Sequence, residues 1–198
     1  MATGGEYVMA DTAAAAASDR LKLLERARDP GTTRRLEALG VTDGWRCLEV
    51  GAGHGSITRW LSSRVGAAGA VTALDIDTRF LEEMPGNVEV RQLDIRSGEL
   101  DRDTYDLVHC RAFLMHLLDP GATLRRLGAA LRPGGVLLAE EGDYGLYHYG
   151  GHPAAAELNE GAGRTLGAIT NAGVFNAWFG RSLPAAIQAA GLELVGAE

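Results

Sequence analysis

Glu49 is the first residue whose type and position suggest chemistry. It stands in the run CLEVGAGHGSIT (residues 47–58), where a short apolar stretch breaks into a glycine-rich turn and then into a helix-forming segment. Such turns commonly hold phosphate groups at the start of the helix. A carboxylate would repel a pyrophosphate but attract an ammonium group. This stretch therefore predicts a nucleoside ligand that carries a cationic amino-acid group.

Two further acids stand at the ends of the next two apolar runs. Asp75 ends VTALDID, where a carboxylate can accept both ribose hydroxyls, and the adjacent Ile76 can lie on one face of the adenine. Asp94 ends VRQLDI, where its carboxylate can take the adenine amino group and the backbone of Ile95 can contact the ring. Each acid alone is equally explained as the polar end of a strand. Three of them at one edge of a sheet predict a site for S-adenosylmethionine.

The elements that must position these acids alternate along the chain. Strand-like and helix-like runs are interleaved, and this predicts βαβ units in a doubly wound α/β domain with a mostly parallel sheet. Strands are predicted at Arg46–Val50, Ala70–Ile76, Val88–Leu93, Tyr105–Cys110, Gly135–Glu140 and Leu192–Gly196. Helices are predicted at Thr12–Ala27, Thr32–Leu39, Ser56–Arg64, Asp77–Met84, Pro120–Leu131 and Leu183–Ala190. We expect a helical cap over residues 1–40 and a core over 41–198, with a glycine- and aromatic-rich insertion at 141–180.

Composition narrows the class of partner. The chain has 198 residues and a net charge of −7, without the basic stripe that nucleic acid requires, so we expect no nucleic-acid partner. No apolar run is long enough for a membrane span, and the N-terminus lacks the basic start of a signal peptide. Cys47 and Cys110 lie in apolar runs and are expected to be buried free thiols. These features predict a protein of the reducing cytoplasm.

The whole pattern resembles the class I S-adenosylmethionine-dependent methyltransferases of the bacterial small-molecule type. The matching pieces EVGAGHGSIT, VTALDID, LDI, YDLVHCRAFLMHL and LRPGGVLLAEEGD follow the family's order over residues 44–142. SLPAAIQAAGLELVGAE resembles the family's last helix and sixth strand. The resemblance implies that S-adenosylmethionine is the cofactor, with S-adenosylhomocysteine as product. It implies cofactor contacts at Glu49, Gly51, Ala52, Gly53, Asp75, Ile76, Asp94 and Ile95, a backbone contact near Arg111, and a cover formed by the N-terminal helices with Tyr7.

The sequence departs from the family at its C-terminal end. The family sheet has seven strands, whereas this chain stops at Glu198, within or just after the sixth. The fifth strand would then keep unpaired backbone groups along one edge. We expect either a piece of a longer chain, or an assembly in which another chain or a second copy of this one covers that edge.

Methyl transfer requires few catalytic side chains from the protein. No protein nucleophile is needed, and a general base is needed only for a poorly ionised hydroxyl or amine. The candidates are His116, after the fourth strand, and Glu141, after the fifth; a structural histidine and a solvated acid explain them equally well. Metal-dependent relatives need a carboxylate just after the fourth strand, where this chain has His109-Cys110-Arg111, so we expect no catalytic metal. The expected acceptor is a small organic molecule, methylated at oxygen, nitrogen or carbon.

Two other functions compete with this interpretation. A short-chain nicotinamide reductase would need Tyr-x-x-x-Lys, and none of the five tyrosines has a lysine four residues on. A non-catalytic or truncated S-adenosylmethionine-binding subunit would keep the same cofactor motifs, as would an enzyme that uses this fold for another reaction such as a cyclisation.

Overall fold

The computed structural model describes residues 14–146 and 148–197. They form two compact units. The sheet unit comprises residues 14–111 and 126–139, and the C-terminal unit comprises residues 112–125, 140–146 and 148–197. Tyr7 lies outside the described residues, and the division predicted at residue 40 stays a prediction.

A five-stranded sheet in the order β3-β2-β1-β4-β5 is the framework of the sheet unit. β1 pairs in parallel with β2 and with β4, and β2 pairs in parallel with β3. The carboxyl ends of these four strands therefore share one edge, which confirms the predicted doubly wound α/β class. The strands are β1 (Arg46–Val50), β2 (Ala70–Asp75), β3 (Val88–Gln92), β4 (Tyr105–Arg111) and β5 (Leu131–Glu140).

In the part of the chain that the structure describes, five α-helices accompany the strands: α1 (Ala14–Ala38), α2 (Ser56–Val65), α3 (Pro120–Ala130), α4 (Ala155–Asn171) and α5 (Phe179–Ala189). Two short 3₁₀ turns cover Leu114–His116 and Tyr144–Leu146. α2 shows the helical period most clearly, because its residues Ile57, Leu61 and Val65 are all buried in one apolar cluster. Leu36 of α1 packs into the same cluster, so both helices are anchored to the core.

The predicted break between two N-terminal helices is wrong. α1 runs without interruption from Ala14 to Ala38 and includes Pro30. Proline removes one backbone donor from a helix. The hydroxyls of Thr32 and Thr33 donate to the carbonyls of Arg28 and Asp29, and so supply side-chain donors around the proline. Pro30 therefore changes the local hydrogen-bond pattern but does not end the helix.

The predicted helix at Asp77–Met84 is also wrong, because this segment is irregular, with a turn at residues 79–80 and a bend at Glu83. The Asp77 N–H donates to the Asp75 carboxylate, and the Arg79 N–H donates to the Asp77 carboxylate. Both N–H groups lie in the first turn of the predicted helix, where they would have no intrahelical partner in any case. A helix that continues to residue 84 is instead interrupted at Glu83, which adopts a left-handed φ of 55°.

The far edge of the sheet differs from the prediction in two ways. β5 begins at Leu131, before the predicted Gly135, and includes Pro133, which an edge strand tolerates because it needs fewer donors. Residues 192–197 form no strand, and Val195 is 81% exposed. A segment that buries so little apolar surface gains little from pairing. β5 therefore ends the described sheet, and the partner expected for that edge stays a prediction.

The C-terminal unit is held together by close backbone contacts. Asn176 N–H donates to Met115, and Tyr144 N–H donates to Ala177. Gly180 of α5 lies directly on segment 141–143, and its N–H donates to the Gly142 carbonyl. These bonds fold the predicted insertion onto the segment that follows β4.

Two smaller expectations concern burial. Cys47 and Cys110 are buried free thiols, as predicted, and burial raises the pKa of Cys47 to about 12, with the charges of Asp106 and Glu49 adding to the effect. Within the described ranges, no helix combines the length and the apolar character that crossing a bilayer requires.

Candidate functional site

The glycine turn after β1 depends on left-handed backbone. Gly51, Gly53 and Gly55 have φ values of 73°, 57° and 85°, which residues with a Cβ rarely adopt. The N–H groups of Gly51 and Ala52 donate to the Leu74 carbonyl at 2.9 and 3.1 Å, which ties the turn to the end of β2. The turn is therefore a fixed loop of bare backbone at the carboxyl edge of the sheet.

Asp75 connects this turn to the next loop. Its Oδ2 accepts the Gly53 N–H at 2.8 Å and its Oδ1 accepts the Asp77 N–H at 3.0 Å. Burial raises the pKa of the Asp75 carboxyl above its ordinary value, and these N–H donors oppose that rise. Each carboxylate oxygen has a second lone pair, so capacity remains for ligand hydroxyls. The neighbouring Ile76 is 40% exposed and offers an apolar surface next to this carboxylate in the chain.

Asp94 forms an ion pair with Arg96 that the sequence analysis did not predict. Its two carboxylate oxygens accept from the Arg96 side chain, through Nε at 2.9 Å and Nη2 at 2.8 Å. The Arg96 guanidinium thereby holds the pKa of Asp94 below its ordinary value. Ile95 is buried, so its side chain offers little surface to a ligand. An adenine amino group at Asp94 would have to share the carboxylate with Arg96.

Glu49 is buried and paired with a residue whose role the sequence analysis missed. Its Oε2 lies 2.7 Å from Nδ1 of His109, and the two side chains come from directly opposed positions on β1 and β4. Glu49 is 4% exposed and His109 is 0% exposed. A polar residue inside the apolar run YDLVHC is the one signal that could have indicated this pair, and the strand register was needed to identify the partner.

Two acids of α1 reach the glycine turn, and neither was predicted. Glu25 accepts the backbone N–H of Ser56, the first residue of α2, at 3.1 Å. Asp29 accepts from the Ser56 hydroxyl at 3.1 Å and from Nη2 of Arg111 at 2.9 Å. Arg111 Nη1 also donates to the Thr32 hydroxyl. The side chain of Arg111 thus joins the end of β4 to α1, whereas the sequence analysis expected only a backbone role for it.

The electrostatics of this region favour a cation over a phosphate. The N-terminus of a helix usually attracts an anion, but here the Glu25 carboxylate already occupies the first N–H of α2. Glu49 and Asp75 place two more carboxylates at the ends of β1 and β2. The spacing of Glu25 and Asp29, one helical turn apart, is the only sequence signal for this arrangement.

The two predicted catalytic residues lie in the C-terminal unit. Glu141 Oε1 accepts the N–H groups of Phe113 and Leu114 at 2.9 and 2.6 Å, so this carboxylate caps the 3₁₀ turn that contains His116. The His116 ring packs edge-on against Phe175, with centroids 5.6 Å apart. Tyr144 packs against the same phenyl ring. In this unit the rings of His116 and Tyr144 therefore both pack against Phe175.

A metal site would need several ligating side chains close together. No group of three or more His, Cys, Asp or Glu side chains in those residues is arranged to hold a metal ion.

Comparison with known sequences finds methyltransferases. A family model described as a methyltransferase domain matches residues 9–197. The ubiquinone/menaquinone biosynthesis C-methyltransferase of Idiomarina loihiensis is 30% identical over 115 residues, which cover 54% of this chain and 46% of that protein. A methyltransferase of Mycobacterium bovis, described as uncharacterized, is 37% identical over 100 residues, which cover 48% and 49% of the two chains. The chain thus spans about half the length of these curated relatives.

Comparison with solved structures also finds methyltransferases. The crystal structure of a SAM-dependent methyltransferase from Aquifex aeolicus matches with a TM-score of 0.57 and 25% identity, over 74% of this chain and 87% of that one. A phosphoethanolamine N-methyltransferase from Haemonchus contortus shares the fold at a TM-score of 0.54 and 21% identity, over 76% of this chain and 33% of that one. Since the family model covers nearly all of the sequence, the chain belongs to the methyltransferase-domain family, as a class I member whose cofactor is S-adenosylmethionine.

Proposed function

We propose that this chain transfers a methyl group from S-adenosylmethionine to a small organic acceptor, by in-line displacement at oxygen, nitrogen or carbon. The observation that carries the proposal is the buried Glu49 carboxylate beside a fixed glycine turn, where Glu25 already accepts the first N–H of the following helix. That arrangement attracts an ammonium group and disfavours pyrophosphate.

The residues of the sheet unit fit the chemistry of this donor. Glu49 would take the ammonium of the methionine part, and the turn at Gly51, Ala52 and Gly53 would give its backbone to the same part. Asp75 would accept the ribose hydroxyls, because two fixed N–H donors orient its carboxylate.

The adenine would meet three further residues. Ile76 would lie on one face of the ring, which its exposure allows. Asp94 would accept from the adenine amino group, with Arg96 as its second partner. The backbone of Ile95 would contact the ring edge. Arg111 contributes indirectly, because its side chain holds α1 against the end of β4.

When bound, S-adenosylmethionine supplies a methyl group on a positively charged sulfur. The chain needs no nucleophile of its own, so its contribution is to bind, orient and exclude water. Correct orientation of two reactants is worth about 7–11 kcal/mol of barrier in favourable cases. Exclusion of water helps as well, because charge on the sulfonium is lost as the methyl moves.

A proton must leave when the acceptor is a neutral hydroxyl or amine, and His116 is the proposed base. Its imidazole is the type of group that accepts protons near neutral pH. Glu141 is proposed to act by holding the turn that carries His116, since its Oε1 accepts two N–H groups there. A His116→Ala variant should lose activity on hydroxyl acceptors and keep it on acceptors that are already ionised.

The test is the formation of S-adenosylhomocysteine from S-adenosylmethionine with a panel of small hydroxyl, amine and activated-carbon acceptors. Carbon acceptors belong in the panel because the relative from Idiomarina loihiensis is named a C-methyltransferase. Glu49→Ala should abolish product formation, whereas Glu37→Ala, an exposed acid of α1, should leave it unchanged. Saturable binding of the donor without turnover on any acceptor would contradict the proposal.

A further inference from the structure

The pair formed by Glu49 and His109 is unusual for its position. The two residues lie opposite each other on adjacent parallel strands at the centre of the sheet, so their side chains share one face. Their neighbours in the two strands, Leu48, Val50 and Val108, are buried and apolar. The backbone of β1 and β4 is already joined by the sheet, so strand pairing does not require a polar side-chain contact.

Because Glu49 is buried, its carboxylate needs a hydrogen-bond partner from the protein. A buried charged or polar group costs free energy unless it has a hydrogen-bond partner. The imidazole Nδ1 at 2.7 Å from Oε2 supplies the donor, and donating to a carboxylate requires Nδ1 to carry its hydrogen. In this arrangement the Nδ1 hydrogen of His109 points at Oε2 of Glu49.

The contact also fixes the direction of the carboxylate. Only Oε2 is bonded to His109, and a carboxylate has about four acceptor positions on its two oxygens. The histidine ring is itself fully buried and therefore fixed. A rigid donor on one oxygen sets the rotation of the whole group.

We propose that His109 is a positioning residue for the methyl donor. It holds the Glu49 carboxylate in one orientation, and Glu49 then receives the ammonium end of S-adenosylmethionine. This inference rests on the proposed function. It predicts that a change at His109 is felt by ligands that carry the amino-acid end and not by ligands that lack it.

Two ligands separate those effects. S-adenosylhomocysteine carries the ammonium group, whereas 5′-methylthioadenosine keeps the nucleoside and the thioether but lacks the amino-acid part. In isothermal titration calorimetry, His109→Leu should weaken S-adenosylhomocysteine by roughly tenfold or more, because a charge-assisted hydrogen bond is lost. The affinity for 5′-methylthioadenosine should stay within about threefold, since hydrogen bonds to the nucleoside are unchanged.

Conservative variants show whether the bond itself matters. His109→Asn places an amide N–H near the position of Nδ1 and should restore the affinity for S-adenosylhomocysteine. His109→Gln places its amide near Nε2 and should not restore it. This pair also decides the question if His109→Leu fails to fold. In a Glu49→Ala background, His109→Leu should cause no further loss, because His109 acts through Glu49.

Tyr105→Phe is the control for a general loss of stability. Tyr105 is the first residue of the same strand, and its hydroxyl donates to Asp101 at 2.9 Å, away from the carboxyl edge. This variant should bind both ligands as the wild-type protein does. Equal weakening of both ligands in His109→Leu, or equal binding by the Asn and Gln variants, would overturn the inference. If the wild-type protein bound neither ligand, the proposed function itself would fail, and the inference with it.

Discussion

Asp75 is the carboxyl group whose surroundings predict a pH dependence. Burial raises its pKa in the folded protein above the ordinary value of 3.8, so the folded state holds this proton more tightly than the unfolded state. Its contribution to the free energy of unfolding is therefore present below pH 3.8 and is lost as the pH rises through the folded-state pKa. Binding of a ribose to the carboxylate should follow the opposite trend and weaken as the pH falls.

The measurement is urea unfolding of the wild-type protein and Asp75→Asn across that pH range. The free energy of unfolding of the wild type relative to the variant should fall as the pH rises, because all other carboxyl groups are common to both proteins. A difference that grows with pH would mean that the N–H groups of Gly53 and Asp77 outweigh burial.

At the residue scale, the sequence points to candidate acids but not to what holds them. Glu49, Asp75 and Asp94 stand out because each lies at or near the end of an apolar run, which is a local signal. The contacts of His109 and Glu25 could not be found in this way, since the two residues reach their partners across 60 and 31 residues of sequence. Contacts of that kind depend on strand register and on how a helix packs. Neither can be derived from composition or spacing.

At the element scale, Asp29 is predicted to help hold α1 against the start of α2 and the end of β4. Asp29 accepts from both Ser56 and Arg111, so Asp29→Ala removes two bonds at once. Amide hydrogen exchange in α1 should then speed up by roughly tenfold, because a bond to a charged group is lost. Asp19→Ala, an exposed acid on the same helix, should leave exchange unchanged. Equal rates in the two variants would show that Asp29 does not contribute to holding α1.

Two helical glycines in the C-terminal unit should respond in opposite ways to alanine. A Cβ at Gly180 would lie 2.6–2.8 Å from backbone atoms of residues 141–143, which have no room to move. Gly180→Ala should therefore destabilise by about 1–3 kcal/mol. Gly163 of α4 has nothing within 4 Å, so Gly163→Ala should stabilise by about 0.5–1 kcal/mol through helix propensity. Urea unfolding measures both, and a loss in both variants would contradict this reading of Gly180.

The errors at the element scale have a common physical origin. The sequence predicted β1 to β4 well because each is an apolar run bounded by polar or glycine residues. It misjudged Pro30, residues 77–84 and residues 192–196, where threonine hydrogen bonds, the left-handed backbone of Glu83 and missing burial, respectively, outweigh local propensity.

At the scale of the whole molecule, ligand binding should be visible as a gain in thermal stability. A ligand present at 100 times its Kd adds about 2.7 kcal/mol to the free energy of unfolding. For a chain of 198 residues this corresponds to a rise in Tm of about 5–11 °C. Differential scanning fluorimetry should show that rise with S-adenosylhomocysteine and less than about 1 °C with NADH, because a pyrophosphate would meet the carboxylates of Glu25 and Glu49. A rise with NADH alone would reverse the assignment of the glycine turn to a cationic ligand.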